Sequence, residues 1–135
     1  MTRSTDTTTP RSLAAAVAVA RTAAEHRGQD IVLLDMRSCS QLFDYFVIAT
    51  GTSRRQLHAM SEEIDRVMQA EFHDERLGLE GYEASRWIVL DYGDVVVHLF
   101  DEETRQYYNL EDLWAEAPRV DWATLAGRRD VALLG

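Results

Sequence analysis

The run Trp87-Ile88-Val89-Leu90-Asp91-Tyr92-Gly93-Asp94-Val95-Val96-Val97-His98-Leu99-Phe100 constrains the fold more than any other stretch, because two β-rich segments flank a Gly-Asp pair. Gly93 at the first central position of a two-residue loop supplies the positive φ that a type II′ hairpin turn requires. A Tyr92-Gly93 loop would set Asp91 opposite Asp94, and like charges facing each other across strands are destabilising. The Gly93-Asp94 loop therefore predicts the register. It pairs Tyr92 with Val95, Leu90 with Val97 and Ile88 with Leu99 on one face, and Trp87 with Phe100, Val89 with His98 and Asp91 with Val96 on the other. The first set reads as core. The second sets large aromatics beside an imidazole and a carboxylate, a composition that suits a wet core edge or a surface that docks a partner.

Composition narrows the function classes. With 135 residues, 46% of them apolar, the chain suits one globular domain. Fourteen basic and twenty-three acidic residues give a net charge of -9. That charge repels phosphate backbones and anionic membranes and favours a basic partner, so little direct nucleic-acid contact is expected. Every basic residue is Arg and none is Lys, which reads as compositional bias and not as selected recognition. Lone Cys39 excludes an internal disulfide and a cysteine-based metal cluster. No signal-like core and no run of ~20 apolar residues is present, so a soluble cytoplasmic protein is expected.

Taken in order, residues 1–11 form a polar tail predicted to be disordered, 12–117 the domain, and 118–135 an extension beyond Pro118. Ser12 to His26 predicts a helix whose stripe is Leu13, Val17, Ala20 and Ala24, with Gly28 as its left-handed cap. Ile31–Leu34 and Tyr45–Ala49 read as strands covered on both faces, joined by too few residues for a crossover helix and hence antiparallel. Ser53 and Gln56 form a capping box for a helix over 54–72 that aligns Leu57, Met60, Ile64, Val67 and Met68. Residues 73–86 read as a surface connection. Asp101-Glu102-Glu103 opens a short helix to about Gln106, and a second, from Leu110 to Ala115, should aim Leu110, Leu113 and Trp114 at the sheet.

Several motifs suggest chemistry and then fall short of it. Gly51-Thr52-Ser53 at a helix start resembles a phosphate cradle, but the second Gly and the Lys of a P-loop are missing and an ordinary N-cap explains it. Glu63 and Asp65 resemble an acid-x-acid metal pair, yet residues two apart on a helix diverge by about 200° and cannot share one ion. His26, His58, His73 and His98 show no metal spacing, Ser53 and Ser85 lack a nucleophile-elbow context, and Cys39 reads as an incidental thiol. A solvated helix start accounts for Asp101-Glu102-Glu103 without Mg²⁺. No catalytic residue, metal or cofactor is assigned. Trp87, Phe100, Tyr107, Tyr108 and Trp114, by contrast, crowd five large aromatics into one short span, where partner docking competes evenly with core packing.

Three ordered blocks carry a likeness: Asp44-Tyr45-Phe46-Val47-Ile48-Ala49-Thr50-Gly51-Thr52-Ser53-Arg54-Arg55-Gln56, the hairpin Trp87 to Phe100, and Tyr108-Asn109-Leu110-Glu111-Asp112-Leu113-Trp114. Over about Ser12 to Trp114 the chain resembles the ribosomal silencing factor family, also called Iojap-like. The resemblance implies an α/β (α+β) fold, a mixed sheet with flanking helices that is nucleotidyltransferase-like without the catalytic acids. It also implies a non-enzymatic repressor of translation that binds the large ribosomal subunit through ribosomal protein L-fourteen and blocks joining of the small subunit. An acidic chain that docks a basic ribosomal protein fits the charge. The expected arrangement places helices on one side of the sheet and leaves the face of Trp87, Val89, His98 and Phe100 exposed, with Tyr107 and Tyr108 beside it, for that partner. Two rivals are a nucleotidyltransferase-like nucleotide-binding enzyme and a homodimer that uses the same aromatic face.

Overall fold

The hairpin forms in the register that the Gly93-Asp94 loop demands. The computed structural model describes residues 10–127, and in it Trp87 faces Phe100, Ile88 faces Leu99, Val89 faces His98, Leu90 faces Val97 and Asp91 faces Val96. Gly93 has φ +86°, and the Tyr92 N–H donates to the Val95 carbonyl at 2.9 Å to close the turn.

Chain order is α1 (Arg11–Glu25), β1 (Gln29–Asp35), β2 (Tyr45–Thr50), α2 (Arg54–Phe72), β3 (Gly78–Glu80), β4 (Trp87–Asp91), β5 (Val95–Phe100), α3 (Glu102–Tyr108), α4 (Leu110–Leu113), β6 (Arg119–Val120) and α5 (Trp122–Ala126). The strands make one sheet in the order β3-β4-β5-β2-β1-β6. The β1–β2 pair is antiparallel, as its short connection requires, whereas β2 and β5 run parallel, Tyr45 beside Val95 through Thr50 beside Phe100. Parallel neighbours need a crossover, and α2 lies within theirs.

Every residue of β2 and of β5 is buried, because both sheet faces are covered. Tyr45, Val47, Ala49, Val95, Val97 and Leu99 pack under α1 and α2. Residues Ala14 to Ala20 of α1 are all buried, so the narrow stripe is corrected: α1 packs on the sheet, on α2 and on α5, and Ala24 alone of the predicted stripe is exposed. Small alanines let those neighbours approach. The left-handed cap is Arg27 (φ +64°), one residue before Gly28. The Gly28 N–H then reaches the Ala23 carbonyl at 2.8 Å, and a Cβ on Gly28 would meet that same oxygen at 2.9 Å and Met60 Sδ at 3.0 Å.

The second face is a second core and not the open surface expected of it. Leu34, Met36, Phe46, Ile48, Val96, Phe100, Leu110 and Ala117 form it, with Trp87, Val89 and Trp114 at its rim, so helices flank both faces. Leu110 and Trp114 join this core as predicted, but Leu113, the last residue of α4, is exposed: the helix stops before Trp114, so the single helical face expected to carry all three side chains does not form.

Three further elements, β3, β6 and α5, depart from expectation. β3 pairs antiparallel with β4 inside the supposed surface connection, Gly78 beside Asp91 and Glu80 beside Val89. Beyond Pro118, where the domain was expected to close, β6 pairs with β1, and the Trp122 indole N–H donates to the Ile31 carbonyl at 3.2 Å while Trp122 and Leu125 pack against the α1 core. Strands of three and two residues are too short to show a period of two. The tail before Pro10 and the apolar residues Val131 to Leu134 lie outside the described residues.

Candidate functional site

The six residues predicted to dock a partner separate into two layers. Phe100 is 0% exposed and His98 7%, so the expectation that they are exposed is corrected. Both point into the core built by Phe46, Ile48 and Leu110, whose covering elements come from elsewhere in the chain. Trp87 and Val89 are half-buried, whereas Tyr107 is 80% and Tyr108 50% exposed. The outer layer is a ledge. Trp87 stacks on Phe100 (centroids 4.9 Å apart, planes at 26°) and meets Tyr108 at 4.7 Å, while Tyr107 crosses Tyr108 edge to face at 5.0 Å and 84°. These offset and edge-on arrangements are the favourable ones for aromatic rings.

Below the ledge, the Trp87 indole N–H donates to His98 Nδ1 at 3.1 Å, and Phe46 sets its ring against the imidazole at 4.7 Å and 63°. Burial among apolar rings pushes the His98 pKa down to about 4, so the ring is neutral near pH 7. A cleft of about 420 Å³ opens beside the ledge, lined by Arg86, Trp87, Glu103, Thr104, Tyr107 and Tyr108.

Two local devices hold the ledge. Asp101 caps α3, its carboxylate accepting from the Thr104 N–H at 2.8 Å. Arg105, on the inner side of α3, is buried and donates to Thr50 Oγ1 at 2.7 Å and to Glu111 Oε2 at 3.1 Å, which ties α3 to the end of β2 and to α4. Sequence reasoning missed this role, because one Arg among acidic residues reads as a solvated helix face.

On the other side, the loop that leads into Trp87 is stapled to α2. His58 stacks on Tyr82 at 3.9 Å, and its Nε2 lies 2.8 Å from the Tyr82 carbonyl oxygen and 2.7 Å from Ser85 Oγ. That carbonyl can only accept, so Nε2 carries the proton and is no base for Ser85, whose hydroxyl donates to the same oxygen at 2.8 Å. Gly81 (φ +76°) is required here, since a Cβ would lie 1.9 Å from the Trp87 carbonyl oxygen. Gly81→Ala should therefore lower the urea midpoint by an amount equivalent to ~2 kcal/mol or more, and an unchanged midpoint would show that the loop yields freely.

The other sequence candidates are engaged in structure. The Ser53 hydroxyl accepts from the Gln56 N–H at 3.1 Å, the Thr52 N–H donates to Gln56 Oε1 at 2.7 Å, and Gln56 Nε2 reaches the His26 and Arg27 carbonyls at the end of α1. These amides serve the cap and not a phosphate. Glu63 pairs with Arg66, while Asp65 accepts from the Tyr92 hydroxyl at 2.7 Å and from Gln69 at 2.7 Å, so the two carboxylates face different partners and Asp65 is not simply solvated. Among the described residues no group of three or more His, Cys, Asp or Glu side chains is placed to share a metal ion, and no helix is long and apolar enough to cross a membrane.

Fold and surface together define a class: an α+β domain on a mixed sheet, with two long helices on one face and an aromatic ledge rising from the other. A solved protein from Chromobacterium violaceum shares the architecture, with a TM-score of 0.69 and 34% identity over 74% of this chain and 83% of that one. The family described as ribosomal silencing factor during starvation matches residues 9–132, and the chain belongs to it. It is 43% identical over 97 residues to the ribosomal silencing factor RsfS of Halalkalibacterium halodurans, covering 72% of this chain and 82% of that protein. It is also 36% identical over 95 residues to the mouse protein named mitochondrial assembly of ribosomal large subunit protein 1, covering 67% of this chain and 40% of the mouse one.

Proposed function

We propose that this protein represses translation by binding the large ribosomal subunit through ribosomal protein L-fourteen, so that its bulk sterically blocks joining of the small subunit. The observation that carries this reading is the ledge of Trp87, Tyr107 and Tyr108 beside its cleft, presented by a member of the ribosomal silencing factor family. Exposed aromatics at the edge of a pocket are the side chains that most often anchor an interface. Val89 extends the ledge, and His98 and Phe100 support it from beneath. A net charge of -9 suits a basic ribosomal protein far better than ribosomal RNA. The mouse relative's name links that protein to mitochondrial assembly of the ribosomal large subunit.

Sedimentation with purified large subunits tests the reading. The protein should travel with them and, once bound, lower the yield of joined ribosomes when small subunits are added. Failure to co-sediment, or co-sedimentation with undiminished joining, overturns it. Rates carry a second expectation. Association should slow as ionic strength rises, because long-range attraction steers the encounter, while dissociation, governed by the buried rings, changes little. An association rate indifferent to salt would rule out electrostatic steering.

A further inference from the structure

One polar group in the second core is not explained by packing. The imidazole of His98 lies between Phe46 and the Trp87–Phe100 stack, 7% exposed, and its Nε2 is buried without a hydrogen-bond partner. A neutral ring whose Nδ1 accepts a hydrogen bond carries its proton on Nε2, so a donor is left unpaired away from water. A leucine or phenylalanine would fill the same space without that desolvation cost. What an apolar residue cannot do is accept the indole N–H of Trp87.

We propose that His98 is a positioning residue for the docking ledge: from beneath the surface its Nδ1 fixes the Trp87 indole in the one orientation on which Tyr108 and Tyr107 are built to receive a partner's side chain. The inference rests on the docking reading above. The hairpin register places Trp87 opposite Phe100 and His98 opposite Val89, which makes Trp87 and His98 diagonal neighbours on one face. Ring stacking tolerates a range of offsets and tilts, and the 26° and 46° planes of Trp87 against Phe100 and Tyr108 would survive a flip of the indole about its Cβ–Cγ bond. The N–H···Nδ1 bond would not. It is directional, and it selects one of the two flips.

The test uses the full chain labelled with ¹⁵N, the Trp87 indole resonance being identified by its loss in Trp87→Phe. In the wild type the nitrogen shifts should place the His98 proton on Nε2 and give a single Trp87 indole signal. His98→Leu should unfold cooperatively like the wild type, split or broaden that signal, and weaken large-subunit binding roughly tenfold, the scale of one lost hydrogen bond. His98→Asn, which returns an acceptor near the Nδ1 position, should restore one signal and most of the affinity. Wild-type affinity in His98→Leu, equal losses in the Leu and Asn variants, or a wild-type proton on Nδ1 would each overturn the proposal, and the last decides it even where His98→Leu fails to fold. Trp87→Ala separates this failure from that of the docking reading. If it binds like wild type, the ledge is not the docking site, and the role of His98 in docking falls with it, whatever the Leu variant does to the indole signal.

Discussion

Tyr107→Ala combined with Tyr108→Ala should weaken large-subunit binding by at least ~30-fold while the thermal midpoint falls only a few degrees. A central aromatic anchor is worth ~2 kcal/mol or more of binding, and each factor of ten corresponds to about 1.4 kcal/mol. Little native packing is lost, because Tyr107 is 80% exposed and touches Tyr108, and Tyr108 is half exposed over Trp87. Titration of labelled protein with large subunits, alongside a thermal melt of each variant, reads both quantities. Wild-type affinity in the folded double variant would move the footprint off the ledge, most simply to the neighbouring edge from Asp101 to Arg105, where Glu102 and Glu103 are exposed and Arg105 is buried.

Phe100→Ala should do the opposite. Its ring is fully buried, stacked on Trp87 in the second core, and its backbone closes the parallel ladder beside Thr50. Truncating a core phenylalanine costs ~3 to 5 kcal/mol, which in a domain of this size lowers the thermal midpoint by roughly 10 to 20 °C. Ile88→Ala, on the α2 face of the same hairpin, should also lose stability before binding. Affinity should fall only in proportion to the unfolded fraction. A Phe100→Ala protein that melts near wild type yet cannot bind the large subunit would mean that the ring is reached by the partner after all.

The contrast between Tyr108 and Phe100 marks where sequence stops informing. Alternation along Trp87 to Phe100 told which side chains share a face, and the one positive φ at Gly93 set the register, because both are local properties of a tight turn. Whether that face meets solvent depends on Leu110, Trp114 and Met36, which lie outside the hairpin: the sequence aimed Leu110 and Trp114 at the sheet but not at this face of it, and nothing in it pointed to Met36. The helix over 54–72 was equally legible, its cap and its apolar spacing agreeing. The ledge was legible as a cluster of aromatic residues but not as two layers, and its supports were not: Arg105 reads as surface, and the Trp87–His98 bond joins diagonal positions that no alternation pattern distinguishes. β3, β6 and α5 escaped for a different reason. Elements of three, two and five residues are chosen by the partner they pair with or pack on, not by their own sequence.

The order in which the strands lie side by side also sets when the domain can form. Its central pair joins Tyr45–Thr50 to Val95–Phe100, and the outer edge of β1 is covered by Arg119–Val120, so the strand pairings of highest sequence separation are the ones at the middle and the far rim. Closing such contacts costs chain entropy before it returns any packing. On a chain emerging from its amino terminus, α1, β1, β2 and α2 are made early, but β2 must wait with one edge unpaired until β5 arrives and its second face uncovered until Leu110 and Ala117 follow, while β1 keeps an open edge until residue 120. Synthesis therefore passes through a stage in which β1 and β2 are paired only with each other, both outer edges open, and the residues that end this exposure are among the last of the described chain to appear.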